Sequence, residues 1–332
     1  MPALRYINLR TTDPAFNLAA EQYVFDSLPR DRSYFMLWQN DNAVIIGKYQ
    51  NAYSEVNEAY AAEHGIRVVR RLSGGGAVYH DLGNLNYTFI TDAAEDEAIN
   101  LRRFCEIVVR ALTSLGVSAE VNGRNDITVD GKKISGNAQY LREGRVMHHG
   151  TLLFRSNLGM VQNVLQVDPD KIRSKGIRSV RSRVGNIADS LPEGTDLETF
   201  RAAVLESVLQ GEKAKEYVFS DVDIAAIEAI REKRYSQWSW NFGRSPECTV
   251  RRSGRIEGVG KIEAYIGIDR GIITELTFGG DFFSGSDPAE LARMFVGKRA
   301  EPKTFETVLQ GVDPSRYFTG VDAESLRKIL TK

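Results

Sequence analysis

The chain has 332 residues, 42% hydrophobic and 26% charged, with a formal net charge of -1; this length supports two domains with sizeable cores and an ordinary globular composition. Near-neutral charge excludes an overall field drawing the chain to nucleic acid or membrane, and no apolar run approaches the ~20 residues of a membrane span. The start, Met1–Arg10, lacks a signal-peptide core, and two cysteines, Cys105 and Cys248, give neither a disulfide framework nor a metal spacing, so the expected compartment is a reducing cytoplasm.

Leu4–Leu9 reads as a first strand. Asp13 is placed to cap a helix with Pro14 at its first position. Phe16, Ala19, Ala20, Tyr23, Val24 and Ser27 recur at helical spacing to about Leu28, a core-packing pattern. Tyr34–Trp38 and Ala43–Ile46 read as strands joined by the turn Asn40-Asp41-Asn42. Gly47-Lys48-Tyr49-Gln50-Asn51 then follows a buried strand, a place where loop residues often meet ligand. Glu55–His64 reads as a helix stopped by Gly65, and Ile66–Val69 as a strand.

That strand delivers Arg70-Arg71-Leu72-Ser73-Gly74-Gly75-Gly76-Ala77-Val78-Tyr79-His80-Asp81. Three glycines let backbone amides approach a ligand closely. Exposed N–H groups beside arginine suit a phosphate or carboxylate. No Lys-Ser or Lys-Thr follows, so this is not a P-loop. Tyr79 stands where a dinucleotide fingerprint needs glycine, and the sequence continues as strand, Asn86–Ile90 included. On the glycines alone, a tight turn or bulge in a hairpin is the reading to favour for the loop.

Leu101–Leu115 is an amphipathic helix closed by Gly116. Cys105 lies inside it beside Phe104, Ile107 and Val108, as a buried structural thiol does. Asp130-Gly131 signals a two-residue hairpin turn. Regular pairing would set Val129 opposite Lys132, Thr128 opposite Lys133 and Asp126 opposite Ser135. Asp126, Thr128, Lys133 and Ser135 would then share one face, and Ile127, Val129 and Ile134 the other. The bland alternative is a half-solvated hairpin with Lys133 at the surface.

Val146–Phe154 is another strand. Its neighbours His148 and His149 must point to opposite faces, which argues against one shared metal. With four histidines in the chain, a zinc site has little support. Lys171–Arg183 holds six basic residues and no acidic ones. It reads either as a solvated charged segment or as a loop that closes on an anion; the absence of aromatics argues against nucleic acid. Leu197–Leu209 and Asp221–Tyr235 read as helices, followed by the aromatic-rich Tyr235–Gly243. Arg244-Ser245-Pro246-Glu247 looks like a boundary. Beyond it, strands at Gly258–Gly267 and Gly271–Gly279 and two or three helices suggest a small α+β unit of roughly 85 residues.

These pieces together resemble the lipoate–protein ligases. The resemblance rests on Arg70–Asn84, Gly123-Arg124-Asn125-Asp126-Ile127, Lys133-Ile134-Ser135-Gly136, His148–Leu153, Gly176–Val184 and Trp238–Gly243. It covers nearly the whole chain, with the motifs in the family's order. It implies an α+β fold: a biotin/lipoate protein ligase-like catalytic domain of mixed and antiparallel sheets with flanking helices, residues 1–245, and a small α+β accessory domain, residues 246–332. The implied reaction is activation of lipoate with ATP and Mg²⁺ to lipoyl-AMP, releasing pyrophosphate. Transfer of the lipoyl group to a lysine of a lipoyl domain follows. Implied acceptors are the E2 subunits of 2-oxo acid dehydrogenases and the glycine cleavage H protein; a monomer is expected.

By the same resemblance Lys133 is the catalytic residue, contacting both the lipoyl carbonyl and the phosphate. Arg71, Ser73, Gly74, Gly75, Gly76, Ala77, Val78, Tyr79 and His80 bind lipoate and nucleotide. Asn84, Asn125, Ser135, Gly136 and His149 shape the pocket. Asp126 is a Mg²⁺ ligand or the partner of Lys133. Lys175, Arg181 and Arg183 belong to a loop that shields the mixed anhydride from water. The chemistry suits these residues, because two anions must meet and positive charge must offset their repulsion. Three rival readings remain. An ATP-independent lipoyl or octanoyl transferase needs a reactive cysteine, and Cys105 reads as core while Cys248 falls at the boundary. A biotin ligase needs a Gly-Arg-Gly-Arg type loop that is absent. A non-catalytic lipoate or nucleotide-binding protein is opposed by Arg71 and Lys133.

Overall fold

The computed structural model describes residues 4–92, 100–123, 125–165, 184–209, 214–243 and 250–331. Lys175, Arg181, Arg183, the rest of the basic stretch 171–183, Cys248 and the expected boundary at 244–247 lie outside the described residues.

The largest element is an eight-stranded mixed sheet. Its strands are β1 (Leu4–Asn8), β2 (Ser33–Trp38), β6 (Asn84–Asp92), β7 (Ala119–Asn122), β8 (Asp126–Val129), β9 (Lys132–Arg142), β10 (Arg145–Leu153) and β11 (Lys215–Glu216), in the order β11-β1-β2-β6-β10-β9-β8-β7. A smaller sheet holds β3 (Ala43–Ile46), flanked by β4 (Arg67–Arg70) in parallel and β5 (Val78–His80) antiparallel. Thus Asn40–Asn42 does not close a hairpin: it carries the chain from one sheet to another. Asn42 takes φ 44° there, a conformation asparagine tolerates.

Side-chain alternation divides the core. Tyr34, Met36 and Trp38 of β2 pack with Phe16, Leu18, Ala19 and Val24 of helix α1 (Pro14–Ser27). Phe35 and Leu37 pack on the other face, with Phe104, Cys105 and Val108 of α4 (Leu101–Ser114) and Phe200 and Val204 of α6 (Leu197–Leu209). Asp13 caps α1 as expected, accepting from the Ala15 amide at 2.9 Å. The stripe expected on α1 is instead burial on nearly every side; Glu21 within it is 1% exposed.

Where one helix was expected over Glu55–His64, two short helices form, α2 (Ala52–Glu55) and α3 (Glu58–Glu63). Val56 leaves the helix between them to bridge Leu165, just past α5 (Leu158–Val164), and Asn57 caps the second turn. Helix α7 (Asp221–Ile230) runs into a wide turn at Arg231–Tyr235, and α8 (Trp238–Asn241) follows.

The Asp130-Gly131 turn has φ of 50° and 72°, the type I′ pattern. Val129 pairs with Lys132 and Thr128 with Lys133 as expected. A bulge then intervenes, so Ile127 faces Ser135 and Asp126 faces Gly136. Ile134 is the extra residue, and the one-residue shift turns Ser135 inward, where it is fully buried.

Near the C-terminus, β12 (Val250–Ile256), β13 (Gly260–Asp269) and β14 (Ile272–Gly280) form an antiparallel sheet. Helices α9 (Pro288–Arg293), α10 (Pro302–Gln310) and α11 (Ala323–Thr331) cover it around Ile262, Phe278, Phe295, Phe305, Phe318 and Leu326. Strand β12 was not anticipated: Val-Arg-Arg-Ser-Gly-Arg-Ile lacks apolar alternation, as edge strands can. This unit meets the rest of the chain at the glycine loop. Tyr49 stacks on Phe282 at 4.8 Å, the Gly280 amide donates to Tyr49 O at 2.8 Å, and the Gly75 amide donates to Phe282 O at 3.3 Å. Among the described residues no helix is long and apolar enough to cross a membrane.

Candidate active site

A cleft with about 590 Å³ of empty space, its open mouth included, lies between the glycine loop and the β9–β10 ribbon. Gly75, Gly76, Ala77, Val78 and His80 line one side; Asn125, Lys133, Gly136, Asn137, His149 and Thr151 line the other. Leu18, Trp38, Ile45 and Arg71 also reach it.

The glycine loop is held open by arginine. Arg70 and Arg71 end the parallel pair β3–β4, and both side chains turn back into the protein. Arg70 donates to the carbonyls of Gly47, Gln50, Trp240 and Asn241, so the aromatic α8 segment seats this strand. Arg71 donates to Ile45 O at 3.1 Å, Gly74 O at 2.7 Å, Gly76 O at 2.8 Å and Ser73 Oγ at 3.0 Å. Burial pushes its guanidinium down to about 10, with the Glu21 carboxylate acting the other way, so it stays charged near neutrality. Arg71 therefore shapes the loop and brings buried positive charge to the cavity. Gly47 braces the loop from below: a Cβ there would lie 2.1 Å from Gly75 O. Gly75 itself takes φ 89°, which glycine alone adopts without strain.

Lys133 projects from β9 into the same cavity and pairs with Asp126 at 2.7 Å, each side chain about one third exposed. The bulge makes this possible by bringing Asp126 level with Gly136 rather than Ser135. Gly136 makes room: a Cβ there would sit 3.0 Å from Lys133 Nζ.

Along β5, alternation points Val78 and His80 to the cavity and Tyr79 away, where its hydroxyl donates to Asn42 Oδ1 at 3.0 Å. Asn17 donates to Asn40 Oδ1, leaving the Asn40 amide to donate to His80 Nδ1 at 3.1 Å. That orientation leaves the His80 proton on Nε2. Burial, with help from Arg71 and His149, holds the His80 pKa down to about 3, so the ring is neutral. Among the described residues, His80 Nε2 and Asn86 Nδ2 are both buried without a hydrogen-bond partner beside the cavity. Two such donors suit a ligand carrying acceptor oxygens.

His148 and His149 diverge as strand alternation requires. His148 stacks on Phe104 at 4.8 Å in the core, and burial pushes its pKa well below the usual range. His149 faces the cavity side and bonds Ser73 Oγ at 2.6 Å and Glu21 Oε1 at 3.0 Å. This Ser–His–Glu order resembles a hydrolase triad. Ser73, however, is 1% exposed and its oxygen already accepts from Arg71, so it is not placed as a nucleophile.

The structure thus gathers Arg71, Gly75, Gly76, Ala77, Val78, His80, Asn125, Lys133, Gly136 and His149 around one cavity. Ser73 and Asp126 touch that set through His149 and Lys133. Gly74, Tyr79, Asn84 and Ser135 do not line it. Gly74 packs on Phe282 O, Asn84 donates to Asn86, and Ser135 accepts from Asn137. Trp38, Asn86, Asn137 and Thr151 line the cavity without having been singled out in the sequence; each sits in a strand whose apolar neighbours mask it. Cys105 is buried, and burial pushes its thiol up to about 12.

The family described as "Lipoyl protein ligase A/B catalytic domain" matches residues 13–209, and "Bacterial lipoate protein ligase C-terminus" matches residues 245–330. The chain is 43% identical over 326 residues to lipoate-protein ligase LplJ of Bacillus subtilis (strain 168), covering 97% of this chain and 98% of that protein. Among solved structures, a bi-partite lipoate protein ligase and its E2 lipoyl domain from Thermoplasma acidophilum aligns with TM-score 0.67 and 30% identity, over 75% of this chain and 100% of that one. Lipoate-protein ligase A bound with ATP aligns with TM-score 0.64 and 29% identity, over 73% of this chain and 99% of that one.

Proposed function

The chain belongs to the lipoate–protein ligase family, and from that premise we propose that it joins lipoate to protein in two steps, the first of which consumes ATP. Lipoate and ATP first give lipoyl-AMP and pyrophosphate. The lipoyl group then passes to a lysine of a lipoyl domain. The observation that carries this reading is the shared cavity lined by Lys133, Arg71, Gly75 and Gly76.

In the first step a carboxylate oxygen attacks the α-phosphorus and pyrophosphate leaves. Two anions must approach, and preorganised positive charge lowers that barrier more than any other device available here. Lys133 is the mobile charge; Arg71 is the fixed one. In the second step the acceptor amine attacks the lipoyl carbonyl, AMP departs, and the Lys133 ammonium steadies the oxyanion. Asp126 keeps Lys133 aimed until substrate oxygens replace it. His80 Nε2 and Asn86 Nδ2 supply neutral donors to the same oxygens. Lys175, Arg181 and Arg183 add positive charge from residues 171–183.

Among the described residues, no group of three or more His, Cys, Asp and Glu side chains is arranged to hold a metal. A Mg²⁺ ion here would take Asp126, with nucleotide phosphates and water completing its shell, as is usual for this ion. It would neutralise the leaving pyrophosphate. The acceptors we propose are E2 lipoyl domains and the glycine cleavage H protein; an E2 lipoyl domain accompanies the Thermoplasma acidophilum relative. We assign residues 1–245 to catalysis and 246–332 to an accessory domain. A cysteine-based transferase finds no support in Cys105, buried and held as a neutral thiol.

The test is the mass of a purified lipoyl domain incubated with the protein, lipoate and Mg²⁺, with and without ATP. A gain of one lipoyl group only with ATP, accompanied by pyrophosphate, supports the proposal. A gain without ATP assigns a transferase; binding without any gain assigns a non-catalytic binder.

A further inference from the structure

Glu21 was not singled out in the sequence, does not line the cavity, and is a carboxylate 1% exposed in the middle of α1. A buried carboxylate needs donors, and the structure supplies them as two chains. In one, Arg71 Nε meets Ser73 Oγ at 3.0 Å, Ser73 Oγ meets His149 Nε2 at 2.6 Å, and His149 Nδ1 meets Glu21 Oε1 at 3.0 Å. In the other, Trp38 Nε1 meets Thr88 Oγ1 at 2.9 Å, and Thr88 Oγ1 meets Glu21 Oε1 at 2.5 Å.

An ionised carboxylate accepts and cannot donate, while arginine and the indole nitrogen donate and cannot accept. Facing the Glu21 carboxylate, His149 Nδ1 carries a proton and donates it. In the neutral ring Nε2 is then bare and accepts from Ser73, whose oxygen accepts from Arg71. Likewise Thr88 accepts from Trp38 and donates to Glu21. Every proton in the network runs toward one carboxylate, the only member that accepts without donating.

We propose that Glu21 is a positioning residue. As the shared end of two hydrogen-bond chains it locks His149 in the Nδ1–H form, ties Ser73 of the glycine loop to it, and draws the polar hydrogens of Trp38 and His149 away from the cavity. Those two rings then line the cavity as apolar surface beside Leu18 and Ile45. A ligand needs a polar head for Lys133, His80 and Asn86, and a body without hydrogen-bonding groups where it meets Trp38 and His149. A hydroxyl on that body would find both rings' hydrogen-bonding atoms already engaged. Glu21 thus acts through its neighbours to exclude polar chains.

The test uses the full-length protein with ¹⁵N-labelled histidine and two carboxylate probes, octanoate and 8-hydroxyoctanoate. Ring ¹⁵N shifts report the His149 tautomer and do not depend on any ligase activity. The probe comparison rests on the carboxylate-ligand reading above. In the wild-type protein His149 is expected with Nδ1 protonated and Nε2 bare; an Nε2–H ring overturns the proposal even if the ligase reading stands. Glu21→Gln keeps an acceptor at the Oε1 position, so the tautomer and the octanoate preference should persist within about twofold. Glu21→Met removes it: the tautomer should become mixed and the preference should fall roughly tenfold, within the range set by leaving one buried polar group unpaired. Equal behaviour of the Gln and Met variants would mean a packing role and overturn the proposal. If the Met variant does not fold, the wild-type tautomer and the Gln variant still decide it.

Discussion

Gly74 lies where the glycine loop meets the C-terminal unit, and one methyl group there should part the two. An added Cβ would stand 2.2 Å from Phe282 O and 3.3 Å from its carbonyl carbon, whereas real Cβ atoms essentially never come under 3.0 Å. The obstacle is backbone, so no side-chain rotation relieves it. Phe282 must retreat by nearly an ångström. The bond from the Gly75 amide to Phe282 O goes with it, as do the bond from Gly280 to Tyr49 O and the Tyr49–Phe282 stack. Two net hydrogen bonds and one aromatic pair amount to roughly 1.5–4.5 kcal/mol. Hydrogen exchange at the Gly75 and Gly280 amides of Gly74→Ala should therefore quicken on the order of 10- to 1,000-fold. Amides of β6 and β10, in a separate core, should keep their protection. Wild-type exchange at Gly75 and Gly280 would refute the argument that this contact docks the two units.

Gly47→Ala places a Cβ 2.1 Å from Gly75 O and should weaken lipoate binding at least tenfold while leaving the fold intact; calorimetry showing wild-type affinity would count against the bracing role. His80, with its pKa held down to about 3 by burial, stays neutral in the folded state where the unfolded chain takes up a proton. Its contribution is complete above about pH 6.5 and is lost as pH falls toward 3, at about 1.4 kcal/mol per pH unit. His80→Asn should flatten the fall in stability between pH 6 and 4; an unchanged slope in urea titrations would contradict this. Cys105, its thiol raised to about 12, should resist alkylation at pH 8 in the folded protein. Site-resolved mass spectrometry showing rapid modification of Cys105 would overturn its placement in the core.

Much of the cavity was readable from local chemistry. The triple glycine, the Asp130-Gly131 turn and the adjacent histidines each state their geometry within a few residues. What escaped depends on distance. The Ile134 bulge is decided by packing on both faces of the ribbon, so regular alternation misplaced Ser135 relative to Asp126. Arg71 reads as a ligand-binding cation, but its donors are turned onto Ile45 O of β3 and onto Gly74 O and Gly76 O of its own loop. Glu21 looks like an ordinary helix-surface carboxylate until the sheet and α1 close over it, and its partners lie 67 and 128 residues away. The Tyr49–Phe282 contact joins segments more than 200 residues apart, with nothing local to announce it.

The claim on which the rest depends is that the Lys133 ammonium lets two anions react. The most direct measurement is single-turnover formation of lipoyl-AMP by Lys133→Ala, followed by transfer from preformed lipoyl-AMP to a lipoyl domain. The account predicts that both rates fall, by roughly 10²- to 10³-fold as for loss of an oxyanion donor, with lipoate still bound. Formation of lipoyl-AMP at the wild-type rate would contradict it.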